Sequence, residues 1–322
     1  KDTTLTDLRT NGSFSVDFKI KDGRNVLKTP RDLHLRLTML NSNLNEVSLT
    51  KGTPPRVKGN DVMGKLEYLL ARRKGTNLDT TFTTVLEPYD GTRYITNIKE
   101  IPLMTVAAAQ SAGKKDAAII TLTNGTAGAN DTVRALQVSL AGGREDYIIY
   151  ASNNSLTYTV TKFDNEGAPS KLLDFRGFVG VTSMVDGTQI YTYLNDGDQM
   201  GDLSGTAACT GTVTTFTKEL SFQNSITIQP TEAVDLEKLA GKFIYVTNDG
   251  VESGSYEIKG ATTGANGTVV LDIGDVSPIR KYKSASDINA GYVYNIGEGQ
   301  TFRIPLPTVV DDSPIFDPIP DQ

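Results

Sequence analysis

Apolar and polar residues alternate with period two along most of this chain. Phe14, Val16 and Phe18 fall on one side, with Ser13, Ser15, Asp17 and Lys19 on the other, and Lys21-Asp22-Gly23 supplies a turn. In residues 31–40 the side chains of Leu33, Leu35, Leu37 and Met39 share a face opposite Asp32, His34, Arg36 and Thr38. Successive side chains of a strand point to opposite faces, so the pattern predicts half-buried strands and turns His34 away from the core. Further strands are expected at 66–73, at 81–87 and from Arg93 to Ile101. Pro88 is expected to end the second of these, because it has no N–H to give to a ladder. A run of antiparallel strands follows at 117–122, 133–140, 146–151, 156–160, 175–184 and 189–194. Asn124-Gly125, Gly142-Gly143 and Asp186-Gly187 mark its turns, since these pairs tolerate positive φ in hairpins. The proline- and glycine-rich stretch 51–59 reads as a loop, and AAAQSAGKK before Asp116 as a connection interrupted by Gly113.

Charge thins out over 201–217, where Gly, Thr and Ala dominate, which places a module boundary near Leu203. Strands are expected beyond it at 222–229, 242–247, 254–258, 268–273, 291–296 and 301–304, with one short helix in VDLEKL at 234–239. The fold class is therefore all-β. Residues 1–203 are expected to form a super-sandwich-like antiparallel β-sandwich region, 204–308 a smaller β-module, and 309–322 a Pro- and Asp-rich tail or linker. The composition agrees, with 30 glycines, 13 prolines and abundant Thr, Val, Ile and Tyr.

The formal charge of −6 argues against nucleic acid as a partner, since phosphate binding needs clustered Lys and Arg. Arg72-Arg73-Lys74 with Arg93 offers a local basic strip, and the same residues suit solvated strand ends. The lone Cys209 forms no intrachain disulfide, which fits an exported Gram-positive protein and a cytosolic one alike. The longest apolar runs are of strand length, so no membrane insertion is expected. Lys1 is read as an internal start.

Three phrases point to a family. Leu86-Glu87-Pro88-Tyr89 lies between two strand patterns, VSLAGGREDYIIY runs from Val138 to Tyr150, and DFRGFVGVTSMVDGTQIYTYLNDG from Asp174 to Gly197. Their order over residues 30–200, and more weakly 273–306, resembles the C-terminal β-region of heparinase II/III-like polysaccharide lyases. The resemblance implies a secreted or cell-surface bacterial protein that acts on an acidic polysaccharide by β-elimination. It also implies that the catalytic Tyr and His come largely from an α/α-toroid, which this chain does not contain. The expected role is then the non-catalytic β-portion, packed on an N-terminal catalytic portion of the same enzyme and needing no cofactor. The alternative is a stand-alone carbohydrate-binding or cell-surface structural module.

Candidate chemistry is sparse. β-Elimination needs a base at C5, an acid at the leaving oxygen and a neutraliser for the carboxylate. His34 is the sole histidine and the only imidazole base on offer, but a lone histidine on an alternating strand is more often a satisfied interlayer residue, so no catalytic residue is assigned. Tyr68, Tyr89, Tyr94, Tyr147 and Tyr150 are available acids and equally ordinary strand residues. Glycan contacts are expected from Arg72, Tyr89, Arg93 and Tyr94 around the Asp90-Gly91 turn, which ordinary turn packing also explains. Asp196, Asp198 and Asp202 share a glycine-bearing turn with the oxygen-rich make-up of a Ca²⁺ site, without the EF-hand spacing. A polar hairpin turn uses the same residues.

Overall fold

The computed structural model describes residues 6–8, 11–22, 25–52, 66–78, 80–206, 208–248 and 251–312. It is an all-β, predominantly antiparallel protein. The chain divides into two compact units, 1–100 with 138–142, and 101–137 with 143–322.

The first unit holds β1 (Thr6–Leu8), β2 (Asn11–Lys19), β3 (Leu33–Asn43), β4 (Glu46–Gly52), β5 (Leu66–Arg72), β6 (Thr83–Asp90) and β7 (Ile95–Glu100). The first six build two three-stranded sheets, β2-β3-β6 and β1-β4-β5, around a small core of Met39, Leu44 and Val47. β6 does not stop at Pro88. It pairs with β3 from Leu40↔Thr83 to Leu33↔Asp90, with Leu35 opposite Pro88. β6 is an edge strand, and there the missing proline N–H takes nothing from the ladder. Of the loop expected at 51–59, Lys51 and Gly52 belong instead to β4, where they pair with Glu67 and Leu66 of β5, and 53–59 lie outside the described residues.

The second unit opens with α1 (Val106–Ser111), where the sequence had suggested a plain connection. Thr105 caps it by accepting the Ala108 N–H, and Gly113 follows the helix in the left-handed region (φ 64°), so it terminates the turn instead of interrupting it. The helix has a packing role: Ala109 covers Ile119 and Phe163 on the outer face of the sheet they belong to.

The strands that follow are β8 (Ala117–Asn124), β9 (Val133–Leu140), β10 (Arg144–Ala151), β11 (Thr157–Phe163), β12 (Pro169–Arg176), β13 (Val179–Val185), β14 (Thr188–Asn195), β15 (Gln199–Met200) and β16 (Leu203–Ser204). One sheet runs β16-β15-β12-β11-β8, and the other contains β14-β13-β10-β9. Both give alternate residues to one core, with Ile120, Tyr158, Val160, Leu173 and Phe175 from the first sheet and Ile149 and Leu194 from the second. That is the sandwich. The single strand expected over 175–184 is in fact two, because the chain changes sheets at Gly177. There the Phe178 N–H donates to the carbonyls of Asn195 and Asp196. The crossing is tight: a Cβ on Gly197 would stand 2.4 Å from Gly177 Cα and 2.5 Å from the Arg176 carbonyl oxygen.

After Ser204 the sheet and the core both change. β17 (Ala208–Phe216), β18 (Asn224–Pro230), β19 (Phe243–Asn248), β20 (Val251–Glu257), β21 (Gly260–Thr263), β22 (Val269–Gly274) and β25 (Thr301–Pro305) form a seven-stranded sheet in the order β20-β19-β25-β17-β18-β22-β21. It curls round its own core, which includes Val213, Ile226, Ile244, Leu271 and Ile304. β23 (Ile279–Tyr282) and β24 (Tyr292–Tyr294) make a separate ribbon. β17 lies in the low-charge stretch read as a boundary, yet it is a central strand paired with both β18 and β25. Its threonines alternate with buried Cys209 and Val213, and Gly211 leaves room for the Gln229 carbonyl. The helix expected at 234–239 is a short 3₁₀ turn at Leu236–Lys238, capped by Asp235. β26 (Pro307–Asp311), which falls at the start of the expected tail, returns to the sandwich and pairs with β14 from Asn195↔Pro307 to Tyr191↔Asp311. Residues 313–322 lie outside the described residues.

Gly197→Ala is expected to lower stability by about 1–3 kcal/mol, because backbone on both sides must move. Gly260→Ala, where the added carbon meets open space, should stay within about 0.5 kcal/mol of the parent. Urea unfolding midpoints check both, and equal midpoints would refute the close crossing.

Candidate functional site

The face of β2-β3-β6 turned away from the apolar core carries a row of polar side chains. Register places His34 between Lys19 and Tyr89, and Arg36 between Asp17 and Glu87. Glu87 is the anchor. It is 2 % exposed, its Oε1 accepts the N–H groups of Tyr94 (3.2 Å) and Ile95 (2.8 Å), and its Oε2 receives Arg93 Nε at 2.9 Å. A carboxylate this far from water persists because every lone pair in reach is used.

Beside it, Asp17 accepts from two side chains. Tyr89 Oη donates to Asp17 Oδ2 (2.5 Å), and His34 Nδ1 lies 2.7 Å from Asp17 Oδ1. The His34 and Tyr89 rings stack at 4.8 Å with 14° between their planes. His34 Nε2 is 3.4 Å from Asp32, whose carboxylate also holds Lys19. Arg36 Nη1 approaches Asp17 at 3.7 Å, while its buried Nε has no hydrogen-bond partner among the described residues.

This network biases protonation. The hydrogen bond to Asp17 raises the His34 pKa above 6.5, against a smaller opposing effect of desolvation. The hydrogen bond to Asp17 likewise raises the Tyr89 phenol, while Asp17 itself is lowered, first by Tyr89 and then by His34. An imidazole that holds its proton is suited to donating it or to carrying charge, and less suited to accepting a proton at neutral pH. The stabilisation due to His34 is complete below about pH 6.5 and fades as pH rises through the higher folded-state value. That due to Asp17 is present above about pH 4 and is lost as pH falls through its depressed value.

The structure thus brings His34 and Tyr89 together and ties Arg93 to Glu87. Arg72 instead stands 3.6 Å from Glu46 on β4, and Tyr94 is partly exposed next to the Glu87 anchor. Arg73 lies over the Phe82 ring at 4.8 Å and donates to Thr80 and to the Thr81 carbonyl. Of the other tyrosines, Tyr147 is fully buried and donates to Glu145 at 2.8 Å, and burial pushes its phenol far above its ordinary value. Tyr150 packs edge-on against Phe178.

Two of the three aspartates of the Asn195–Asp202 turn go to arginines. Asp196 takes a two-pronged bond from Arg303, and Asp198 a two-pronged bond from Arg176, with Nε at 2.6 Å. Asp202 offers its N–H to Gln189. Among the described residues no three His, Cys, Asp or Glu side chains converge as a metal site. Cys209 is buried, and burial pushes its thiol up to about 11, so it is a packing residue. No helix of the described residues is long and apolar enough to cross a membrane.

Sequence reasoning missed Asp17, Glu87 and Arg36 as partners. Their alternation with the core residues of β2, β3 and β6 was visible, but the register that brings them together was not. Compared with known protein families, curated proteins and solved structures, the chain matches none.

Two measurements check this geometry. His34 is the only imidazole, so its ring proton resonance should titrate above pH 6.5 and move back towards it in Asp17→Asn; a midpoint at or below 6.5 in the parent refutes the pairing. Glu87→Ala leaves two backbone donors and Arg93 unpaired and should cost about 1–3 kcal/mol in denaturant unfolding.

Proposed function

We propose that this chain is the non-catalytic β-portion of a secreted polysaccharide lyase of the heparinase II/III type, which packs on a separate α/α-toroid and helps to form a cleft for an acidic glycan. One coincidence carries the reading. The phrase Leu86-Glu87-Pro88-Tyr89, on which the resemblance rests, is also the segment that organises the polar face, with Glu87 holding Arg93 and Tyr89 stacked on His34. A protonated His34 and the Tyr89 ring stacked on it suit the carboxylate and ring of a uronic acid.

Two further features support it. Leu70, Phe82 and Leu86 are 53 %, 42 % and 57 % exposed, so the first unit leaves apolar surface for a partner to cover. The raised pKa values of His34 and Tyr89 suit neither group to taking the C5 proton, which agrees with a base supplied by the toroid.

Co-expression with the toroid portion of a lyase of this type should give a stable complex that releases unsaturated uronate. In that complex Tyr89→Ala and Arg93→Ala should raise KM about tenfold with kcat within about twofold, the pattern of lost substrate binding. No association with the toroid refutes the proposal. If the isolated chain then still binds acidic glycans, the stand-alone carbohydrate-binding reading replaces it.

A further inference from the structure

A second site stands apart from the polar face, within the second unit. A cleft of about 500 Å³ lies where the β14–β15 turn of the sandwich meets β19 and β25 of the seven-stranded sheet. Its walls include Phe178, Tyr245, Asn154, Asn195, Asp196 and Arg303. The size falls in the range of small-ligand clefts, and the lining has their usual make-up of aromatic rings with a few convergent polar groups.

The floor is built with care. Asp196 is 7 % exposed and sits in the left-handed region (φ 51°), a conformation that costs a non-glycine residue energy. Its backbone is held there on both sides: its carbonyl accepts the Phe178 N–H (3.1 Å) and Asn154 Nδ2 (3.2 Å). The carboxylate grips Arg303 through Nε (2.9 Å) and Nη2. That fork uses two of the five N–H groups of the guanidinium, and Arg303 lines the cleft. Tyr245 is the cross-strand neighbour of Arg303 and shares its face. Phe178, 39 % exposed, is steadied from behind by the edge-on Tyr150 ring at 5.2 Å.

We infer that this cleft binds a neutral saccharide unit. A sugar ring has an apolar C–H face and a rim of hydroxyls. Phe178 and Tyr245 suit the first, and the planar donors and acceptors of Arg303, Asn154 and Asn195 suit the second. Asp196 cancels the charge of Arg303 in place, so the cleft has no net cation to select an acidic sugar. The inference goes beyond the acidic-glycan reading and does not depend on it, because the two sites share no residue.

The test uses the whole chain, titrated by calorimetry with cellohexaose, xylohexaose, mannohexaose and chitohexaose. At least one should bind, with affinity unchanged on adding salt, since no charge is neutralised. Phe178→Ala and Tyr245→Ala should each weaken binding about tenfold or more while leaving the unfolding midpoint near that of the parent. Arg303→Lys, which keeps the charge and loses the fork, should weaken it as well, and Tyr89→Ala should not. Binding of none of the four sugars, binding that survives both aromatic substitutions, or binding lost with Tyr89→Ala would each overturn the inference.

Discussion

Every sheet in this protein has to bury one face, and the ways in which it does so organise the rest. A pleated strand with apolar residues at alternate positions is stable only if something covers that side. In the sandwich each sheet covers the other, and Phe175, Leu173, Tyr158 and Leu194 interdigitate. The seven-stranded sheet curls, folding its apolar face round Ile226, Ile244 and Leu271, with Leu239, Tyr294 and Ile296 packed on the same core. Where β8 is apolar on both sides, α1 covers the outer one. The first unit has the least to work with, and its small core leaves leucines and a phenylalanine in water.

The opposite faces are governed by carboxylates. Glu87, Asp17, Asp196 and Asp198 each hold an arginine, a histidine or a tyrosine, and each fixes the direction of a side chain that would otherwise be mobile. For a chain of net negative charge this matters: its cations at these places are already engaged, and ring faces such as those of Tyr89 and Phe178 are what remain on offer. Selectivity on such a surface comes from shape and hydrogen bonding more than from bulk charge.

Much of the fold was legible from alternation alone. β9 was anticipated residue for residue, and the hairpin at Asp186-Gly187 follows directly from two residues that accept positive φ. The misreadings share a physical cause, which is that tertiary neighbours decided the local state. Pro88 remains in a strand because β6 is an edge, 175–184 splits because two glycine backbones meet, and β17 went unseen because threonine alternation carries little hydrophobic contrast. The site was legible only in part. His34 and Tyr89 could be named from residue type, but Asp17 lies 72 residues from Tyr89, and only strand pairing joins them.

The return of β26 to β14 has a consequence for biosynthesis. The sandwich edge at β14 waits for its partner until the whole seven-stranded module has left the ribosome. During that interval β14 presents unpaired backbone groups of the kind that recruit foreign strands. The nascent chain is thus most vulnerable to misassembly in mid-translation, and prompt closure of the inserted module is what brings the guarding strand home.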